Sequence, residues 1–154
     1  MPLFGLAMDV SILDVSETVR STFVARLVEE PQRLVHPVLH GTSESNFPSI
    51  LQRGFLIPGQ SNNVRMRNGC TYGTGIYFAN INAPELALSF SRSSLCLLVC
   101  ALVKDDKVIR SVRDCQVVSD PSFCVPLFLA RPLDGHFNPV TELSTPSRSG
   151  KDSV

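Results

Sequence analysis

Residues 94–103, SLCLLVCALV, form an almost unbroken apolar run with no polar alternation. A run of that length and pattern reads as a β-strand covered on both faces, and it is the natural centre of a sheet. The rest of the chain must then supply flanking strands and a cover for each face. With 154 residues the chain is long enough for one domain, of a size that buries about 70% of its unfolded surface. Hydrophobic residues make up 44% and charged residues 18%, which excludes a disordered chain and a coiled coil. Fourteen basic residues balance fourteen acidic ones, so no net field exists to hold a phosphate backbone, and nucleic acid is not expected as a partner.

Other elements follow from local patterns. Val19, Phe23 and Leu27, with Val24 and Val28, recur at helical spacing over 17–30; Ser16 is the expected N-cap and Pro31 the stop. HPVLHG (36–41) reads as a short strand. A second helix follows, capped by Thr42 or Ser43, striped by Phe47, Ile50 and Leu51 and ended by Gly54. Residues 56–69 turn to Pro, Gly, Ser, Asn and Arg, the composition of a long functional loop such as a ligand lid. YGTGIYFA (72–79) sets a glycine turn before a strand, and Asn82 with Glu85 predicts a capping box opening a helix that runs to about Phe90. The KDDK turn at 104–107 predicts a hairpin into VIRSV, with further strands at CQVVSD and FCVPLFLA. Pro126 in the last implies a sheet edge or a bulge. Helices come early and strands late, which is the α+β order. The domain is expected over 1–137, with the Ser/Thr/Pro-rich 138–154 as a flexible tail.

Five cysteines, at 70, 96, 100, 115 and 124, show no CxxC pair and no zinc spacing. Cys96, Cys100 and Cys124 lie in apolar runs, where a thiol acts as a small hydrophobe. A reduced, intracellular setting (cytoplasm, nucleus or both) and no metal are expected. The N-terminal MPLFGLAMDVSILDV has neither the basic region and apolar core of a signal peptide nor the length of a membrane span.

Two stretches carry chemistry: HGT (40–42) and YGTGIYFA. Taken singly, His40 reads as a structural histidine, Tyr77 and Phe78 as core aromatics, and Gly-Thr-Gly as a turn, since a full dinucleotide fingerprint is missing. Taken together they suit a pyridinium amide. Such a ligand needs backbone N–H and C=O for its carboxamide, an aromatic face for its ring and a polar partner for its ribose, and His40, Gly41, Thr42 and Tyr77 offer that set. Gly41 admits close approach to main chain, and a tyrosine face gains about 0.5–2 kcal/mol from a cationic ring.

In that order (strand-HGT, helix ending in Gly, variable loop, YGTGIYFA, long apolar strand) the chain resembles the catalytic domain of the poly(ADP-ribose) polymerase (PARP) superfamily. The match is strongest over residues 39–103 and nearest the mono-ADP-ribosyltransferase branch. The resemblance implies an α+β fold with a split mixed or antiparallel β-sheet and short flanking helices. It also implies NAD as co-substrate and a protein acceptor. By position, His40 would bond the nicotinamide ribose, joined by Thr42, while the Gly41 main chain would hold the carboxamide and Tyr77 would stack on the ring. Tyr72, Gly75, Phe78 and Ala79 complete the matching wall, and the loop 56–71 would lie over the donor, where Arg65 and Arg67 could meet a pyrophosphate. The place of the second stacking aromatic falls on Leu88, with Phe90 as the alternative. The serine that bonds the carboxamide has no direct counterpart: Glu85 or Ser89 stands near its place, and Glu85 is equally a capping residue.

The third signature residue of the polymerases is a glutamate, and its place falls on Cys115, with Gln116 one position off and Asp114 the nearest carboxylate. The resemblance therefore implies transfer of a single unit, or a silent binding module. Cleavage of the nicotinamide–ribose bond passes through an oxocarbenium-like state that a placed carboxylate normally stabilises. Without it, orientation of the donor must carry the reaction, and acidic or thiol acceptors suit a site that lacks a general base. Cys115 has no evident basic partner to make it a nucleophile, and an RNA 2′-phosphotransferase would need an arginine set that this neutral chain lacks.

Overall fold

A computed structural model describes residues 2–3, 6–57, 59, 72–91 and 95–133, with residues 2, 3, 6 and 7 as backbone alone. In chain order the elements are β1 (Pro2–Leu3), β2 (Leu6–Ile12), α1 (Glu17–Glu29), β3 (Val35–His40), a 3-10 turn (Glu44–Asn46) and α2 (Phe47–Arg53). There follow β4 (Ile76–Asn80), α3 (Pro84–Phe90), β5 (Leu97–Val103), β6 (Ile109–Val112), β7 (Cys115–Val118), a 3-10 turn (Pro121–Phe123) and β8 (Cys124–Pro132). The strands make one sheet in the order β1-β2-β8-β5-β3-β4-β7-β6, and every pairing is antiparallel. The α+β class is as expected; of the two pairing modes allowed for, only the antiparallel one occurs among the described residues. Residues 58 and 60–71 of the loop expected to serve as a lid, with Arg65, Arg67 and Cys70, and the expected tail at 138–154 lie outside the described residues.

β5 is interior, between β3 and β8, and nearly all of its side chains are buried. The apolar run thus does what its composition requires. Pro126 sits beside a register shift between Val99 and Cys100, so it marks a bulge in an interior strand and not an edge. The hairpin lies elsewhere than expected: β6 pairs with β7 around Arg113–Asp114, while the 104–107 turn only leaves β5. Arg113 takes a positive φ of 53° in that tight connection. β2 has no counterpart in the sequence reading; it is paired through Met8–Ile12 to β8.

α1 starts at Ser16, whose hydroxyl accepts from the Val19 N–H at 3.3 Å and donates to the Gln52 carbonyl at 2.8 Å. Val19 is buried with Val15, Ala101 and Val125, and Phe23 and Leu27 pack inward, but Val24 and Val28 are exposed. α2 packs Ile50 with Phe55, Ile57, Val38 and Phe78 on one face of the sheet. Its end is Gly54, at φ 80°, where an L side chain would be strained. α3 covers the opposite face, with Ala87 and Leu88 against Leu39 and Ala79. The expected capping box does not form: α3 opens at Pro84 from Ala83, with no side-chain cap. Pro84 removes one of the amides that a cap would serve. Neither Thr42 nor Ser43 caps α2, because the 3-10 turn intervenes. No helix among the described residues is long and apolar enough to cross a membrane.

Ser16→Ala removes both a cap and a tie between α1 and α2. Urea unfolding should show a loss of about 1–2 kcal/mol, and a loss under a few tenths would mean that water replaces both bonds.

Candidate active site

β3 and β4 pair over two positions only, Val38↔Asn80 and Leu39↔Ala79. The Asn80 N–H donates to the Asp114 carbonyl at 2.8 Å, on the β7 side. Main-chain groups alternate along a strand, so Ala79 faces β3, and Leu39–Ala79 is the hydrogen-bonded pair. The next such pairs would involve Pro37 and Gly41. Pro37 has no N–H to give. At the other end, the Tyr77 carbonyl that would meet Gly41 bonds to His40 Nδ1 at 2.9 Å. The sheet is therefore joined here by a narrow seam, and beyond it β3 and β4 part.

The imidazole of His40 is half-buried between Phe55, edge-on with centroids 4.8 Å apart, and Phe78 at 5.4 Å. Burial lowers its pKa from the usual 6.5 to about 4, partly opposed by the bond to Tyr77, and no charged neighbour contributes. The ring is thus neutral at pH 7. Because a carbonyl only accepts, Nδ1 carries the proton and Nε2 offers a lone pair.

Gly41 is buried, and none of the hydrogen bonds among the described residues engages its N–H or C=O. Buried main chain without a partner is rare and marks a place for one. Its α-carbon faces α3: a Cβ there would stand 1.6 Å from the Ala87 carbonyl oxygen. The glycine expected to admit a ligand also admits this carbonyl. Tyr77 lies next to Gly41 across the parted strands. It leaves β4 on the Ala79 side, which α3 covers, whereas Phe78 and the imidazole lie on the other. The Tyr77 hydroxyl donates to the Gly73 carbonyl and accepts from the Tyr72 N–H at 3.2 Å, which ties the glycine turn to the strand. Gly75 is required by packing, since a Cβ would come 2.7 Å from Val117 Cγ1. Thr42 Oγ1 accepts from Asn46 Nδ2 at 2.8 Å.

Phe78 and Ala79 are core residues and reach a ligand only through neighbours. Leu88 is packed inward with Met8, Leu39 and Leu97, while Phe90 is half-buried at the end of α3. Glu85 is exposed in the first turn of α3, and the Ser89 hydroxyl is spent on the Leu86 carbonyl at 2.6 Å. Cys115 is buried directly opposite Ala79, hence on the Tyr77 side, and burial raises its thiol pKa. It stays protonated and offers neither charge nor base. Gln116 faces the other side with Phe78; its amide donates to Asn80 Oδ1 at 2.9 Å and accepts from Ser111 at 2.6 Å. The sequence reading did not foresee Phe55, although an aromatic directly after a helix-ending glycine is a packing signal. No cluster of three metal-ligating side chains occurs among the described residues.

A histidine that is neutral when folded and ordinary when unfolded makes folding weaken as pH falls, because the unfolded chain binds the extra proton. The loss begins near 6.5 and is complete near 4, and amounts to about 3 kcal/mol. The difference in unfolding free energy between wild type and His40→Gln should change by that order between pH 7 and pH 4. A difference independent of pH would contradict a buried neutral ring.

Comparison with curated proteins gives no match. Among solved structures, the PARP domain of Arabidopsis RADICAL-INDUCED CELL DEATH1 aligns with a TM-score of 0.57 at 13% identity. The alignment covers 83% of this chain and 88% of that one. At that identity the likeness is one of fold. The family model for the poly(ADP-ribose) polymerase catalytic domain matches residues 8–112, a span that takes in the seam, His40, Gly41 and Tyr77. With more than half of its length so matched, the chain belongs to the poly(ADP-ribose) polymerase catalytic domain family.

Proposed function

We propose that the chain is an intracellular mono-ADP-ribosyltransferase, which takes NAD, the family's co-substrate, and passes one ADP-ribose to a protein carboxylate or thiol with release of nicotinamide. The observation that carries this reading is the buried main chain of Gly41, which has no hydrogen-bond partner among the described residues, beside Tyr77 at the open end of the seam. Gly41 would take the carboxamide through its N–H and C=O, and the Tyr77 ring would lie against the pyridinium. Because β3 and β4 no longer pair beyond Leu39 and Ala79, the attached ribose can reach Nε2 of His40, which would accept a hydroxyl proton. When the glycosidic C–N bond breaks, its electron pair leaves with neutral nicotinamide. The positive charge stays on the ribose until the acceptor's carboxylate or thiolate supplies the new bond.

Cys115 does not stabilise that charge, so rate must come from orientation, and no carboxylate among the described residues is in place to activate a ribose hydroxyl for chain growth. The same thiol, with the Ala87 carbonyl lying on Gly41, favours the second reading: a module of this fold that binds NAD, a related ligand or a protein without turnover.

The decisive assay follows nicotinamide release and label transfer from NAD. The wild type should release nicotinamide slowly, His40→Ala and Tyr77→Ala should not, and Cys115→Glu should raise the rate by about tenfold or more. Labelling that persists in both alanine variants would overturn the transferase. A thermal shift with NAD and no nicotinamide would assign the binding module.

A further inference from the structure

Phe55 is buried and lies directly after Gly54, the φ 80° residue at which α2 ends. Its ring meets the His40 imidazole edge-on, with centroids at 4.8 Å and planes at 70°. It also meets Phe78 at 5.2 Å and 77°, and Phe78 closes the triangle on the imidazole at 5.4 Å. Three rings within about one ring-width of one another leave the imidazole no rotation that keeps those contacts. The third restraint on the imidazole is the Tyr77 carbonyl on Nδ1.

We infer that Phe55 is a positioning residue for the NAD site: wedged between His40 and Phe78, it holds the imidazole with Nδ1–H on the Tyr77 carbonyl and Nε2 presented as a hydrogen-bond acceptor. The inference rests on the proposed function for what Nε2 meets, but not for the ring's orientation. Two aromatic walls make the surroundings apolar, which opposes protonation, and the carbonyl selects which nitrogen holds the one remaining proton. A donor hydroxyl must then give its proton to Nε2, so a ribose hydroxyl fits, whereas an ether or a phosphate ester at that position does not. Removing the wedge leaves the nitrogen chemistry intact but frees the ring to turn and admits water, which restores ordinary imidazole titration.

The test uses the full chain in a His36→Gln/His136→Gln background, where His40 is the one imidazole left. Its carbon and proton shifts are followed by NMR against pH, beside Phe55→Ala and the bulk-retaining Phe55→Leu. In Phe55→Ala the His40 midpoint should rise by about one pH unit or more, and NAD affinity should fall about tenfold. Phe55→Leu should recover much of both, because it keeps the site dry. A folded Phe55→Ala with the midpoint of its parent overturns the inference; should Phe55→Ala not fold, Phe55→Val, which also leaves the wedge unfilled, takes its place, and an unshifted midpoint there overturns it as well. The titration needs no NAD. Absence of NAD binding in the parent would thus remove the proposed function while the ring's orientation is still decided.

Discussion

Pairing at only two positions, Val38 with Asn80 and Leu39 with Ala79, joins the two parts of this sheet, and the candidate site lies where that pairing ends. Pro37 stops it at one end by lacking an amide. At the other end a side chain takes the carbonyl that a ladder would have used, and this releases the Gly41 main chain. Each flank is then completed separately: β5 and β8 carry one, and the β6–β7 hairpin extends the other. α3 and the segment after α2 close the two faces over the joint. A wider joint would pair Gly41 with Tyr77 and leave the amide and carbonyl nothing to offer.

Among the described residues, the electrostatics of the place are those of a neutral site. Burial keeps the imidazole uncharged and the Cys115 thiol protonated, and the amide of Gln116 is satisfied within the protein by Asn80 and Ser111. What is offered is shape, one aromatic face, one lone pair and unpaired main chain. Such a set recognises a flat amide well and stabilises a developing positive charge poorly, because a field of fixed charge is what lowers an ionic barrier most. Under the proposed function, binding and turnover would therefore be separable to a degree that a carboxylate in place of Cys115 would not allow.

Much of the fold was legible where burial alone decides. The 94–103 run holds the interior strand β5 over Leu97–Val103, Ser16 caps α1, and Pro126 marks a bulge. Elements whose place depends on partners were not. β2 is held by pairing with β8, and its alternation is cut by exposed apolar residues: Val10 and Ile12 point outward although Met8, on the same face, is buried. The 104–107 turn has hairpin composition but joins strands that are not neighbours. Asn82 and Glu85 have capping spacing, yet Pro84 at the helix start leaves no use for them. At the candidate site, motif and position singled out His40, Gly41 and Tyr77, but sidedness was not readable. That His40 bonds to the carbonyl of Tyr77, and that the two side chains leave the seam on opposite faces, depends on where pairing stops, which no local pattern encodes.

The contact between Gly41 and Ala87 bears on how sequences of this kind are interpreted. A residue confined by a neighbouring helix would stay glycine even in a descendant that had abandoned NAD altogether. The glycine of the His-Gly dipeptide is thus a hallmark of architecture, and catalytic competence has to be judged from a position with no architectural duty to keep it unchanged.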